Sequence, residues 1–148
     1  MISGHWKFLF ILLMLSFAQI EFAYGLCVRS NTANLRAGPG TEFATTWQVQ
    51  KYMPLKKIKK NKDWYKVGDL DGDEHWIFSK IVTETFKCAV IKVKLANIRS
   101  GPGKNFKKIH SFAKYTAFKV IETKGDWLRL EDERKESYWL FSPLAWVN

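Results

Sequence analysis

The chain repeats itself at an offset of 63 residues, and this duplication constrains the fold more than any other feature. The segment Ala33–Ser79 aligns without a gap with Ala96–Ser142. The matching landmarks are Asn34-Leu35-Arg36-Ala37-Gly38-Pro39-Gly40 with Asn97-Ile98-Arg99-Ser100-Gly101-Pro102-Gly103, Asp63-Trp64 with Asp126-Trp127, and His75-Trp76-Ile77-Phe78-Ser79 with Tyr138-Trp139-Leu140-Phe141-Ser142. Because one register holds so many landmarks, we predict a tandem duplication in which each unit folds within about 61 residues.

Each unit is predicted to consist of short strands. Val90–Leu95 alternates apolar and polar residues, as a strand with one buried face does. Leu55–Ile58 and Phe118–Ile121 are rich in strand formers. No stretch shows a long helical period, so we expect helix only as a single turn after Phe78 and after Phe141. The predicted fold class is all-β, with two tandem small barrels that are each only marginally stable alone.

The hairpin tips are expected to differ between the copies. Asp71-Gly72-Asp73 predicts a tight turn before the strand His75–Phe78. The second copy has the charged segment Glu131–Glu136 at this place, without a glycine. We therefore expect its turn to take another shape.

The two barrels are expected to pack on each other. The linker Val82–Phe86 is short and contains no glycine or proline. Trp47 has His110 as its counterpart, so its role is not shared by both copies, and we expect it to face the other barrel. The expected boundaries are residues 26–86 for the first barrel and 87–148 for the second.

The first 25 residues are predicted to be a secretory signal peptide. Lys7 precedes the apolar run Phe8–Phe17, and the small residues Ala23 and Gly25 stand at the two positions that a signal peptidase reads. A permanent membrane anchor is the first alternative, although the run is shorter than the roughly 18–20 residues that span a bilayer. A lipoprotein acylated at Cys27 is the second. No later segment is apolar for long enough to span a membrane, so we expect a periplasmic or secreted protein.

The charge balance indicates anionic partners. The formal net charge is +10, and it stays there after signal cleavage because one basic and one acidic residue leave together. Such a balance draws a protein toward anionic surfaces. Outside the cytoplasm these are lipopolysaccharide, anionic wall polymers and acidic protein faces, whereas export argues against nucleic acid.

The duplicated motifs resemble those of the bacterial Src-homology-3-like (SH3) domain family. The resemblance rests on Asn-Leu-Arg-x-Gly-Pro-Gly, then Asp-Trp, then Trp-Ile/Leu-Phe-Ser, and covers Cys27 to about Thr83 and Cys88 to Asn148. It implies a five-stranded barrel of exported proteins that binds cell-wall peptides or proteins, often beside a catalytic domain. One departure is that the family usually has glycine where this chain has His75 and Tyr138.

The Gly-Pro-Gly loops have two interpretations, a structural turn and a ligand loop. Glycine permits positive φ and proline fixes its own φ, while asparagine and arginine can hydrogen-bond neighbouring backbone. We favour the structural interpretation. The residues concerned are Asn34, Arg36, Gly38, Pro39 and Gly40, with Asn97, Arg99, Gly101, Pro102 and Gly103.

The two cysteines, which open equivalent first strands, are expected to form a disulfide. An exported protein with two cysteines favours a bridge, and packing about an approximate two-fold axis would join Cys27 to Cys88. Such a loop could contribute roughly 3–4 kcal/mol to stability. The rival interpretation is a cysteine nucleophile with His75 or His110 as base, but the sequence offers no acid to orient the histidine. Metal-ligand spacing is absent from the sequence, and we expect no metal and no cofactor.

Aromatic side chains are the best candidates for binding. Alternation along the strand puts Trp64 and Lys66 on the face opposite Val67, and Trp127 with Arg129 repeats this arrangement. An indole beside a cation could stack on apolar groups and attract carboxylates. Tyr52 and Tyr115 are added as further ligand-binding candidates, whereas Trp76 and Phe78 are expected in the core.

The sequence thus predicts an exported, non-catalytic module that binds cell-envelope peptides or proteins. One alternative is an accessory or inhibitor of a cell-wall hydrolase. Another is electrostatic binding of lipopolysaccharide or another anionic polymer, for which the lysine-rich run Lys56–Lys62 is the candidate surface; the same lysines could also protect a strand edge from pairing.

Overall fold

A computed structural model describes residues 25–148 of the protein. The predicted signal segment lies outside these residues, apart from Gly25. The first unit contains seven strands and one turn of 3-10 helix: β1 (Gly25–Val28), β2 (Thr32–Arg36), β3 (Thr45–Gln50), β4 (Pro54–Asn61), β5 (Trp64–Gly68), β6 (Glu74–Phe78), the turn Ser79–Ile81 and β7 (Val82–Thr83).

The second unit repeats this element order. It consists of β8 (Cys88–Ile91), β9 (Leu95–Arg99), β10 (Lys108–Ala113), β11 (Ala117–Lys124), β12 (Trp127–Glu131), β13 (Ser137–Phe141), the turn Ser142–Leu144 and β14 (Ala145–Val147). The single helical turns after Phe78 and Phe141 confirm the sequence prediction.

The two units have the same sheet topology. The strand orders are β3-β2-β6-β5-β4-β1-β7 and β10-β9-β13-β12-β11-β8-β14, and the paired strands run antiparallel. Each sheet has seven strands, because β1 and β7 extend it beyond β4. One core cluster includes Val49 from the edge strand β3 and Val82 from the opposite edge strand β7, so the sheet must curl around its core. This architecture confirms the all-β fold with two tandem units.

The barrel cores consist of aliphatic residues that alternate along the strands. Leu35, Val67 and Ile77 are fully buried in the first barrel, as Leu130 and Leu140 are in the second. The predicted continuous strand Val90–Leu95 is wrong, since β8 ends at Ile91 and β9 begins at Leu95. All four residues of β8 are buried, and Val90 belongs to the core cluster of the first barrel. The expected alternation is absent from β8 because a barrel lies on both of its sides.

The assignment of Trp76 and Phe78 to the core is also wrong. Ile77 is fully buried and His75 is 8% exposed, whereas Trp76 and Phe78 are only partly buried. Phe78 stands directly opposite Trp64 in the β5–β6 ladder, and directly opposed residues share one face of a sheet. Since Trp64 faces away from the core, Phe78 must do so too.

The hairpin tips of the two copies have the same shape, contrary to expectation. Gly72 has a φ of 88°, and its counterpart Lys135 has a φ of 69°. The Asp69 Oδ1 accepts hydrogen bonds from the backbone N–H groups two and four residues later, at 2.9 Å each, and Asp132 Oδ1 does the same at 2.8 and 3.0 Å. This carboxylate bracket holds the tip in both copies, so the second copy needs no glycine there.

The barrels are joined by a disulfide between Cys27 and Cys88, as predicted. The expected equivalence of the two cysteines is wrong, however, because the sheet register places Cys88 opposite Lys119 and Gly25 opposite the equivalent Lys56. Cys88 is therefore the counterpart of Gly25 and not of Cys27. Tyr52 is buried against the bridge and packs edge-on against Phe86, with ring centroids 5.8 Å apart.

Contacts of the first barrel's hairpin tip also hold the barrels together. Asp71, at the tip of the first barrel, accepts hydrogen bonds from Lys114 Nζ at 2.8 Å and from the Tyr115 hydroxyl at 2.5 Å. Trp47 packs edge-on against Tyr115 at 5.4 Å, which confirms that Trp47 faces the other barrel.

Candidate ligand-binding cleft

A cleft of about 590 Å³ opens on the first barrel beside the Gly-Pro-Gly loop. It is lined by the aromatic residues Trp64 and Phe78 and by the loop residues Pro39, Thr41 and Glu42. A smaller concavity of about 220 Å³ lies next to it and shares Trp64 and Pro39. The structure therefore places a predicted ligand-binding residue, Trp64, beside the loop that the sequence marked as a turn.

The aromatic pair that lines the cleft is built by cross-strand pairing. The rings of Trp64 and Phe78 lie 5.7 Å apart at an interplanar angle of 54°. In the second barrel, Trp127 and Phe141 lie 5.6 Å apart at 48°. Because β5 and β6 pair in the same register as β12 and β13, the duplication preserves this aromatic pair as a unit.

The arginine of each repeated motif holds its loop. Arg36 donates from Nη1 to the carbonyls of Thr41 and Phe43, at 3.2 and 2.8 Å, and Arg99 donates to the carbonyl of Phe106 at 2.9 Å. Asn34 instead accepts a hydrogen bond from the side chain of Gln48, at 3.1 Å. The arginines thus bind backbone as the structural interpretation requires, whereas Asn34 contacts a side chain of the neighbouring strand.

The motif glycines serve close packing. Among the glycines of residues 25–148, positive φ is found at Gly72 and Gly125 and not at those of the two motifs, so the expected use of positive φ is wrong. A Cβ at Gly38 would collide with the ring of Phe43, and one at Gly101 would collide with Phe106. Each first glycine lets an aromatic ring lie flat against the loop and fix its shape.

The basic side chains that were predicted to bind ligand beside the indoles form ion pairs with glutamates. Lys66 forms an ion pair with Glu74 and stands opposite Trp76 in the ladder. Arg129 lies 3.6 Å from the Glu122 carboxylate. The alternation predicted for this strand holds, since Trp127 and Arg129 are partly exposed while their neighbours along β12 are buried.

The remaining candidates lie outside the cleft. Tyr52 is 3% exposed, and its burial against the disulfide removes it from the ligand-binding candidates. Tyr115 is exposed, but it contacts Trp47 and Asp71 at the junction between the barrels. Phe78 is the aromatic residue of the cleft that the sequence reasoning missed. The signal that could have found it is its position directly across the hairpin from Trp64.

The cleft of the first barrel and the equivalent surface of the second differ in charge. Thr41 and Glu42 of the first copy correspond to Lys104 and Asn105 of the second, so the rim of the second is more positive by two charges. Lys104 Nζ lies 5.9 Å from the ring centroid of Phe141. The Lys104 ammonium therefore lies near the ring of Phe141, whereas the uncharged Thr41 stands at this position in the first barrel.

The residues that precede the second tryptophan of each unit, His75 and Tyr138, contribute hydrogen bonds to the hairpins. His75 Nε2 lies 3.1 Å from Asp69 Oδ2, and His75 Nδ1 lies 2.7 Å from the Thr46 hydroxyl. In the second copy, the Tyr138 hydroxyl donates to Glu136 at 2.6 Å and to Asp132 at 3.2 Å. These bonds, first that to Glu136, together with burial raise the pKa of Tyr138 above its ordinary value. His75 and Tyr138 thus bind equivalent aspartates, Asp69 in the first copy and Asp132 in the second.

Among the described residues, no group of three or more His, Cys, Asp or Glu side chains is arranged to hold a metal ion. Residues 25–148 also contain no helix that is long and apolar enough to span a membrane. Both cysteines are bridged, so neither is a thiolate.

The fold and the cleft define a class of protein, a tandem pair of small β-barrels that each present an aromatic pair beside a Gly-Pro-Gly loop. Family comparison agrees, because residues 29–83 and residues 94–147 each match a model described as a bacterial SH3 domain. The chain belongs to the bacterial SH3 domain family and contains two copies in tandem.

One relative of the chain is a longer protein. The chain is 23% identical over 126 residues to YrvJ of Bacillus subtilis (strain 168), provisionally named an N-acetylmuramoyl-L-alanine amidase. The alignment covers 78% of this chain and 24% of the relative, so the chain spans about a quarter of that protein's length.

Solved structures give weaker likenesses. An NlpC/P60 family protein from Bacillus cereus ATCC 10987 is 12% identical with a TM-score of 0.39, over 84% of this chain and 56% of that one. The endolysin LysPBC5 CBD is 15% identical with a TM-score of 0.36, over 85% of this chain and 95% of that one.

Proposed function

We propose that the protein is a non-catalytic binding module of the bacterial cell envelope, which holds wall peptides in the cleft of its first barrel. The observation that carries this proposal is the open aromatic pair of Trp64 and Phe78 beside a loop fixed by Arg36. Partly exposed aromatic rings at the bottom of a cleft bind apolar groups of a ligand and leave polar wall groups to orient it. Membership of the bacterial SH3 family and the likeness to a protein named for a wall amidase point to the wall as the source of ligand.

The non-catalytic role is supported by the state of the residues that could do chemistry. Cys27 and Cys88 are bonded to each other. His75 is held between Asp69 and Thr46 and is 8% exposed. A buried histidine whose two ring nitrogens both have partners in the fold is poorly placed to exchange protons with a substrate.

An extracytoplasmic location is part of the proposal. Disulfides persist in oxidising compartments and are rare in the cytosol. The bridge between Cys27 and Cys88 supports the export that the amino-terminal sequence predicts. The net charge of +10 would add attraction to the anionic polymers of that compartment.

The test is co-sedimentation of the purified protein with peptidoglycan sacculi. Trp64→Ala should weaken binding by about tenfold or more, the usual effect of removing an aromatic anchor. Trp127→Ala is the matched control, because it removes the same residue type at the equivalent position of the second barrel, where Lys104 lies near the ring of Phe141. No sedimentation of the wild type, or equal loss in the two variants, would contradict the assignment to the first cleft.

Electrostatic binding of an anionic polymer is the second candidate. It is favoured by the exposed lysines along β4 and by the high net charge. Binding of this kind falls steeply with salt and is indifferent to a single tryptophan. Repeating the sedimentation with lipopolysaccharide and with sacculi at low and high salt separates the two. A wall hydrolase as protein partner would instead be retained from envelope extract on the immobilised protein.

A further inference from the structure

Glu42 gives the first cleft a feature that the second lacks. Its carboxylate lies over Gly40, where a Cβ would collide with both carboxylate oxygens, and it forms part of the cleft wall together with Trp64. Within residues 25–148, Glu42 has no ion pair and no side-chain hydrogen bond. An acidic group is thus held at the rim of an aromatic cleft with its acceptor oxygens free.

The neighbouring cation does not occupy this carboxylate. Arg36 also lines the cleft, but its Nη1 donates to the carbonyls of Thr41 and Phe43. Arg36 therefore serves the loop, and its guanidinium is directed at backbone oxygens. Glu42 keeps its capacity to accept hydrogen bonds from a ligand.

A carboxylate and an indole that line the same cleft suit one kind of ligand group. A primary ammonium forms a charge-assisted hydrogen bond with the carboxylate and is attracted to the face of the aromatic ring. In the second cleft, Asn105 replaces the acid and Lys104 adds a cation that repels an ammonium. The two clefts thus differ in the charge of the ligand group that they favour.

We propose that the first cleft selects a wall peptide through a free primary ammonium group, which Glu42 binds while Trp64 stacks on the adjacent apolar part. This rests on the proposed function, since it concerns the same cleft. The ammonium can belong to a peptide N-terminus or to a diamino-acid side chain. Both sources share the chemistry that the cleft recognises.

The test compares peptidoglycan sacculi before and after acetylation of their amines with acetic anhydride. Acetylation makes the wall more negative, so a protein of net charge +10 that binds by overall electrostatics should bind it more tightly. The proposal requires the opposite sign. We expect wild-type affinity to fall by roughly tenfold, the loss typical of one charge-assisted hydrogen bond.

Glu42→Gln should lose about the same factor on untreated sacculi and nothing further on acetylated sacculi, because the two changes remove one interaction. Glu133→Gln is the matched control, since it makes the same change of net charge at the exposed tip of the second barrel. Competition by alanine amide or by Nα-acetyl-lysine amide then tells an N-terminal amine from a side-chain amine.

Two results would overturn the inference. One is wild-type affinity that stays unchanged or rises after acetylation, and the other is a loss in Glu42→Gln that is equally large on acetylated sacculi. Either result leaves the proposed function standing, provided that Trp64→Ala still reduces binding. Failure of the wild type to bind any sacculi would instead refute the proposed function itself.

Discussion

Asp69 and Asp132 show how one side chain can replace a glycine in a hairpin. Each carboxylate accepts hydrogen bonds from two backbone N–H groups within its own turn. Its second oxygen is hydrogen-bonded to the His75 ring in the first copy and to the Tyr138 hydroxyl in the second. The turn is therefore determined by the aspartate that precedes it. This explains why Lys135 adopts the left-handed conformation that Gly72 adopts in the other copy.

Asp69→Ala is expected to lower the free energy of unfolding by about 2–3 kcal/mol, because it leaves two backbone donors and His75 without their charged acceptor. The measurement is urea denaturation followed by tryptophan fluorescence. Asp73→Asn is the control, since this exposed neighbour contributes its backbone and not its side chain to the turn. Equal stability of Asp69→Ala and wild type would show that the carboxylate bracket is dispensable.

At the scale of elements, the Gly-Pro-Gly loop and the aromatic pair form one unit. Phe43 lies against Gly38, and Arg36 donates to the carbonyl of Phe43, so the position of the cleft wall depends on the packing of this ring. The glycine acts through the space that it leaves, and its φ lies outside the left-handed region.

Gly38→Ala should therefore displace Phe43 and the cleft wall, with a loss of about 1–3 kcal/mol in unfolding free energy and weaker binding to sacculi. Gly68→Ala is a sharp control within the same barrel. A Cβ at Gly68 would meet Ile58 at 3.8 Å, an ordinary van der Waals contact. Denaturation and sedimentation of both variants check the prediction, which fails if the two substitutions behave alike.

The sequence could predict the strands and the repeat, but not the face of the sheet on which every side chain lies. Alternation along His75–Phe78 allows two choices, and apolarity favoured the aromatics for the core. The choice depends on a register set by the hairpin, which places Phe78 against Trp64. Conversely, Trp64 and Trp127 were assigned to the correct face because Val67, Leu128 and Leu130 are unambiguous core residues.

At the scale of the whole molecule, contacts between the barrels could be anticipated in kind but not in detail. Two cysteines in a predicted exported protein indicate a bridge. The positions that it joins could be assigned only from the strand register of the sheets, since Cys27 and Cys88 are not repeat equivalents. The clamp of Asp71 on Lys114 and Tyr115 joins residues far apart in sequence. No local pattern encodes such a pairing of exposed polar side chains.

This clamp should make the junction sensitive to acid. The hydrogen bonds from Lys114 and then from Tyr115 hold the pKa of Asp71 below its ordinary value of 3.8. A carboxyl group whose pKa is lower in the folded state stabilises the fold above its ordinary pKa, and this contribution is lost as the pH falls through the folded-state value. The clamp is therefore fully formed at neutral pH and opens below pH 3.8.

Asp71→Asn should lower the urea midpoint at pH 7, and the difference from wild type should shrink as the pH is taken below 3.8. The effect is expected to be small, because the residues are exposed and the pair is screened by solvent. Glu133→Gln, which neutralises an exposed acid that makes no such contact, should leave the wild-type profile unchanged. If Asp71→Asn keeps a constant offset from wild type across this range, the charge of Asp71 does not hold the two barrels together.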